Sequence, residues 1–186
     1  MDALHHVWPD RFWPGRARSG TARRAIPLEI AALERPRHPG LRDLVDEWAG
    51  RQGALAPAEV LGADAAELPR LVLLEPIEDG RDWRFRMVGA GLIRRLGFDP
   101  TGGRLCQVHD DQGGGRLARR YRAVAANGAL AITRIAHRLE SGETLIAEEV
   151  ARAVAPAAGL PWIAAIRRHA DDGAAAMEKR RERGCD

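Results

Sequence analysis

Residues 83–102 constrain the fold more than any other stretch of this chain. Trp83-Arg84-Phe85-Arg86-Met87-Val88 alternates large apolar and cationic side chains, the period-two pattern of a half-buried strand. On this pattern Trp83, Phe85 and Met87 point one way and Arg84 and Arg86 the other. Gly89 follows, then Leu92, Ile93 and Leu96 recur at helical spacing. Gly97 stands where a helix end favours a residue free to take positive φ. Pro100-Thr101-Gly102-Gly103 makes a turn. Strand chemistry thus gives way to a short helix that stops at a glycine turn. Gly89, Gly97 and Gly102 are expected to be backbone positions where a side chain does not fit.

The surrounding pattern supplies the other elements. Leu41, Leu44, Val45 and Trp48 fall at i, i+3, i+4 and i+7, one apolar stripe of a helix that ends at Gly50. This stripe is buried either on its own domain or against the same helix of a second chain, and a homodimer through it is the expected assembly. Residues 54–69 read as a loop with a short helical turn from Pro57 to Leu61, and Asp64 caps another. Arg70–Ile77 is a buried strand, and residues 78–82 are a polar hairpin connection. Gly113-Gly114-Gly115 breaks the chain before a helix over Arg116–Ala126, with Leu117, Tyr121 and Val124 inward and Arg116, Arg119, Arg120 and Arg122 on a solvated face. Leu130–Glu140, Thr144–Ala155 and Trp162–Arg168 are strands joined by tight turns, hence antiparallel neighbours. Thr133, Ile135, His137 and Leu139 share one face. The strand from Thr144 mixes apolar and charged residues on both faces, so its core side is not legible. Five strands with short helices on one face and a leading amphipathic helix make an α+β layer.

Residues 1–39 read as a basic, disordered arm, with five Arg against two Asp in the first 26 positions. Residues 40–169 form the domain, and residues 170–186 a charged tail. The apolar runs are too short to span a bilayer. Two cysteines, Cys106 and Cys185, lack zinc spacing and make no disulfide framework, so the expected compartment is the cytoplasm. All basic residues but Lys179 are arginine. The net charge of +3 is weak evidence for a nucleic-acid partner.

The order helix, strand, strand, short helices, helix, strand, strand, strand resembles that of PAS domains. The local sequence is similar to the PAS_5 branch, stand-alone proteins of alphaproteobacteria. The similarity rests on the Trp-bearing leading helix Leu41–Gly50, on Phe85 to Gly89, and on Ile93 to Gly97 followed by Asp99, Thr101 and Gly102. The Tyr-bearing helix ending at Gly128 completes it. Pro100, Gly103 and Ala129 depart from that branch's pattern. The resemblance implies a concave sheet facing short helices with a cavity between them, and a sensory or interaction module of bacterial signal transduction.

No catalytic set accompanies it. There is no Gly-x-Ser-x-Gly, and the only serines are Ser19 and Ser141. The triple glycine lacks the Lys-Ser/Thr ending of a phosphate loop. A non-enzymatic module with output through the leading helix and protein contacts is the first reading. The second is a small-molecule sensor with Trp83, Phe85, Met87, Ile135 and His137 lining a pocket. Haem would need an axial ligand from His109 or His137, and a flavin photosensor would need a reactive cysteine motif that Cys106 does not sit in. His109-Asp110-Asp111 lacks the further ligands a metal requires. The third reading is a nucleic-acid-associated protein using the Trp- and Arg-rich arm.

Overall fold

The computed structural model describes residues 25–51, 53–56, 59–60, 66–109, 111–155 and 159–172. The expected arm up to residue 24, most of the loop from Pro57 through Asp64, and the tail beyond residue 172 lie outside the described residues.

Six strands form one antiparallel sheet: β1 (Ile26–Leu33), β2 (Leu71–Ile77), β3 (Asp82–Val88), β4 (Ala131–Arg138), β5 (Thr144–Val154) and β6 (Trp162–His169). Their order across the sheet is β1-β4-β5-β6-β2-β3. Among the described residues, the α-helices that accompany them are α1 (Pro39–Ala49), α2 (Ala90–Leu96), α3 (Leu105–Val108) and α4 (Asp111–Asn127). The α+β class, and the element order from α1 onward, match the sequence expectation.

The sheet has six strands rather than five. The additional strand, β1, lies inside the stretch read as an arm. Its signal is poor because Pro27 cannot donate a ladder bond and the apolar residues do not alternate. Pairing with β4 (Ile30 opposite Ile135) makes it a strand, and the register shifts between Pro27, opposite His137, and Glu29, opposite Ala136, which leaves Leu28 as the bulged residue.

Helices cover both faces of the sheet. On one side α1 lays Leu41, Leu44 and Trp48 into a cluster with Leu55, Leu71, Leu73, Ile132, Val150, Trp162 and Ile166. On the other, α2, α3 and α4 bring Leu92, Leu105, Val108, Leu117, Tyr121 and Val124 onto Val72, Leu74, Trp83, Phe85, Ile135 and Ile163. The expected dimer stripe is therefore consumed within the chain: Leu41, Leu44 and Trp48 are buried and Val45 packs against the same cluster. Its burial by the chain's own sheet replaces the expectation of an open interface helix. Glu148 of β5 fixes the helix start, accepting N–H bonds from Arg37 and His38 at 2.7 and 2.8 Å. His38 Nδ1 accepts from Gly40 N–H at the N-cap.

Double coverage also explains the ambiguity of β5. Ala147, Glu149 and Ala151 face α4, while Val150, Arg152 and Val154 face the α1 layer, and nearly all are buried. Neither face is a solvent face, so no alternation survives.

The triple glycine does not break the chain. Residues 113–115 lie within α4, which starts at Asp111. A Cβ at Gly114 would stand 3.0 Å from Cys106 Cα and 3.1 Å from Leu105 O. Glycine is there because α3 and α4 touch backbone to backbone.

Candidate functional site

The face under α2 and α3 carries the chain's unusual chemistry. A small cavity there is lined by Val72, Phe85, Val88, Leu92, Leu96, Pro100, Val108, His109, His137, Ala147, Arg167 and His169. Each polar member is placed by a different element. His137 is on β4, in the phase that points it away from α1. His109 ends α3. Arg167 and His169 are alternate residues of β6 and so share a face.

Beneath the cavity lies a buried ion pair. Arg167 Nε donates to Glu149 Oε2 at 2.5 Å, and the two side chains are 6% and 0% exposed. Tyr121 of α4 closes the group: its hydroxyl lies 3.0 Å from both Glu149 oxygens and accepts from Arg167 Nη2 at 3.0 Å. Burial and the Glu149 charge push the Tyr121 hydroxyl above its ordinary range, so it stays a donor. Burial opposes the Arg167 charge, but Glu149 and Tyr121 outweigh it, and the guanidinium is held more firmly protonated than usual.

The imidazoles are the second buried polar group. His109 and His137 stack with ring centroids 5.2 Å apart and planes at 22°. His109 Nδ1 is 2.6 Å from Ala25 O, so the residue just ahead of β1 helps hold the ring. His137 is 3% exposed, and its Nε2 has no hydrogen-bond partner among the described residues. Burial, then the neighbouring His109, Arg167 and His169, drives the His137 pKa well down and keeps the ring neutral at pH 7. His169 is shifted down as well, chiefly by burial.

Two of the five residues expected at a pocket, Phe85 and His137, line this cavity. Trp83 and Ile135 are on the same face but inside packed core, where Trp83 Nε1 donates to Ala118 O and its ring meets Tyr121 edge-on. Met87 is on the opposite face, against the α1 cluster. Leu73 pairs with Met87 and Leu74 with Phe85, so one extra β3 residue, Arg86, is accommodated between them and the alternation flips. Arg167 and His169 were not expected at the site, and His109 only as an axial haem ligand. For Arg167 and His169 the available signal was their shared phase with Ile163 and Ala165. His109 reads from sequence as part of a polar loop, yet it is 2% exposed.

The three glycines differ in cause. Gly97 and Gly102 have φ of 75° and 83°. Gly89 has ordinary φ, but a Cβ there would come within 2.4 Å of the Leu68 and Pro69 backbone. Arginines of α4 do more than face water: Arg116 donates to Pro27 O, Arg122 to Gly80 O, and Arg120 to Ile132 O and Thr133 Oγ1. Cys106 is half-buried, with its sulfur 2.9 Å from Asp82 Oδ2.

The cavity's free space is about 20 Å³, enough for roughly one water molecule. Haem and flavin need several hundred Å³. The residues present do not fit either group. Among the described residues no cluster of three or more His, Cys, Asp or Glu is arranged for a metal ion, and no helix is long and apolar enough to cross a membrane.

Comparison with solved structures finds domains of sensory proteins. A light-oxygen-voltage domain studied with a flavin analogue is 14% identical, with a TM-score of 0.42 over 76% of this chain and 96% of that one. A sensory box histidine kinase/response regulator of Burkholderia thailandensis is 10% identical, with a TM-score of 0.39 over 65% of this chain and 92% of that one. No protein-family model matches the chain, so the finer PAS_5 assignment has no such support, and no curated protein matches it either.

Proposed function

We propose that this chain is a sensory module of PAS type whose input element is the cavity between the sheet and α2–α3. One observation carries the reading: a closed cavity holds His137, buried and with Nε2 unpartnered, beside a guanidinium and two further imidazoles. Buried polar atoms without partners cost stability, on the order of 1–3 kcal/mol each. A bound molecule that supplies the missing partner accounts for retaining one there. Binding favours the conformation that accepts the ligand, and that population shift is the signal.

Recognition fits the wall better than catalysis does. Its side chains include no hydroxyl, thiol or carboxylate to act as a nucleophile. The module's output, in this reading, passes through surfaces other than the α1 stripe, which the sheet already covers.

The test is native mass spectrometry of the full chain, together with its thermal denaturation in the presence of small-molecule libraries. A retained mass, or a stabilisation that Leu92→Trp abolishes by filling the cavity, is the expected result. Stabilisation by ligands that Leu92→Trp leaves unchanged would move the input elsewhere.

A further inference from the structure

The cavity wall is divided. Val72, Phe85, Val88, Leu92, Leu96, Pro100, Val108 and Ala147 are hydrocarbon, while every polar side chain on it is a hydrogen-bond donor or a potential cation: His109, His137, Arg167 and His169. Glu149 is the nearest buried carboxylate, and its oxygens are taken by Arg167 and Tyr121. The wall therefore lacks a side-chain acceptor charge and is complementary to one.

The way in has the same sign. An open groove of Pro69, Arg70, Gly91, Leu92, Arg94, Arg95, His169 and Asp172 adjoins the cavity, and Leu92 and His169 belong to both. Three arginines meet two carboxylates there, Asp171 and Asp172, which leaves a net positive rim. Arg95 reaches Asp171 and Asp172, Arg70 lies 3.9 Å from Asp172, and Arg94 is exposed. Such a rim concentrates anions at the entrance.

We propose that the cavity binds a short aliphatic monocarboxylate of two to four carbons, its carboxylate bonded to His137 Nε2 and its alkyl part against Val72, Leu92, Leu96 and Pro100. This deepens the sensory reading and rests on it. Phosphate and other wholly polar anions would leave the hydrocarbon wall unmatched. The closed cavity holds about one water and an acid of this size needs more, so α2 must move outward both to admit the ligand and to make room for it. That seven-residue helix stands between cavity and groove through Leu92 and is joined to the chain at Gly89 and Gly97.

Binding is coupled to a proton. Facing the His137 ring are His109 from the end of α3, and Arg167 and His169 from β6. Behind Arg167 stand Glu149 of β5 and Tyr121 of α4. Burial and the positive neighbours keep His137 neutral, and a carboxylate at Nε2 reverses that balance, so the ring takes up a proton as the ligand enters. Affinity then rises as pH falls, by up to about tenfold per pH unit for one proton taken up.

The experiment is calorimetric titration of the full chain with acetate, propionate and butyrate, and with the corresponding amides, at pH 6.0 and 7.5. Expected are binding of at least one acid, amides at least about tenfold weaker, tighter binding at pH 6.0, and proton uptake seen as a dependence of heat on buffer ionisation. His137→Phe keeps a stacked ring and should abolish the preference for acid over amide. Should that variant not fold, the imidazole resonances of the wild-type chain provide the same test, because acetate must shift those of His137. Acids and amides binding alike would overturn the carboxylate assignment and leave the sensory cavity standing. No binding by either series at millimolar concentration would overturn the carboxylate proposal, and the library screen above would then decide the cavity itself.

Discussion

The two faces of the sheet are built by opposite rules. Under α1 the contacts are mainly hydrocarbon, Trp48, Leu41 and Leu55 against Leu71, Val150 and Ile166, and the two buried charges there bond to backbone: Glu148 to the Arg37 and His38 N–H groups and Arg152 to the Gly53 and Arg51 carbonyls. Under α2–α4 the core surrounds an ion pair, a tyrosine hydroxyl and three imidazoles. Apolar packing stabilises by area, at roughly 25 cal/mol per Å² removed from water. Buried charges contribute little net stability even when well paired, because desolvation opposes their attraction. The contrast teaches which layer holds the fold and which is free to respond.

The largest effects should have the same size and different remedies. Trp48→Ala empties a site that is 2% exposed, with an expected loss of about 3–5 kcal/mol. Glu149→Leu strands the Arg167 charge, with an expected loss of about 3–5 kcal/mol. Adding Arg167→Met to Glu149→Leu should recover most of that loss, whereas no partner substitution restores Trp48→Ala. Urea unfolding of the four proteins measures this. Were the double variant as unstable as Glu149→Leu alone, the pair would be a genuine pillar of the fold and the contrast between faces would fail.

Acid should act on one face before the other. The folded-state pKa of His137 lies well below its ordinary value of 6.5. Below pH 6.5 the unfolded chain binds a proton that the folded chain refuses. Stability is therefore full above that pH and falls as pH drops toward the folded pKa, by at most about 1.4 kcal/mol per pH unit for this group. His169 and His38 are shifted the same way and add to the slope. Ligand-free His137→Phe should lose less stability than wild type between pH 6.5 and 5, a comparison made by chemical denaturation at each pH. Parallel curves would mean that His137 is not the group refusing the proton.

The sequence revealed one of these faces better than the other. The α1 stripe, the bounds of five strands, the phase of β4 and the Gly97 stop follow from local periodicity, and the elements appear within two residues of where they were expected. What stayed hidden depended on contacts between distant segments. β1 exists because β4 offers it a ladder, and Gly114 is glycine because α3 lies against it. Met87 sits on the wrong face because a bulge at Arg86 shifts the phase of β3 after Phe85. The cavity's Arg167 and His169 look from sequence like the end of a strand running into a charged tail. Arg167 is held by Glu149 and Tyr121, and His169 lies beside Leu92 and Arg95 of α2, none of which a window around residue 167 contains.

The smallest effect concerns the joint between the faces' two roles. Gly97 ends α2 at φ 75°, its N–H bonded to Ile93 O at 2.9 Å, with nothing within 4 Å of where a Cβ would sit. Gly97→Ala therefore meets no steric block, and the cost is conformational alone, about 1 kcal/mol. Gly89→Ala, at the other end of the same helix, drives a methyl into the Pro69 backbone and should cost more. The useful property of Gly97→Ala is where its small penalty falls. It strains the last turn of α2, whose Leu96 lines the cavity, and touches nothing under α1. Amide hydrogen exchange should show faster exchange over residues 92–97 and unchanged protection over residues 41–49. Equal loosening of both helices would show that the layers unfold as one unit, and that the cavity face has no independent freedom with which to signal.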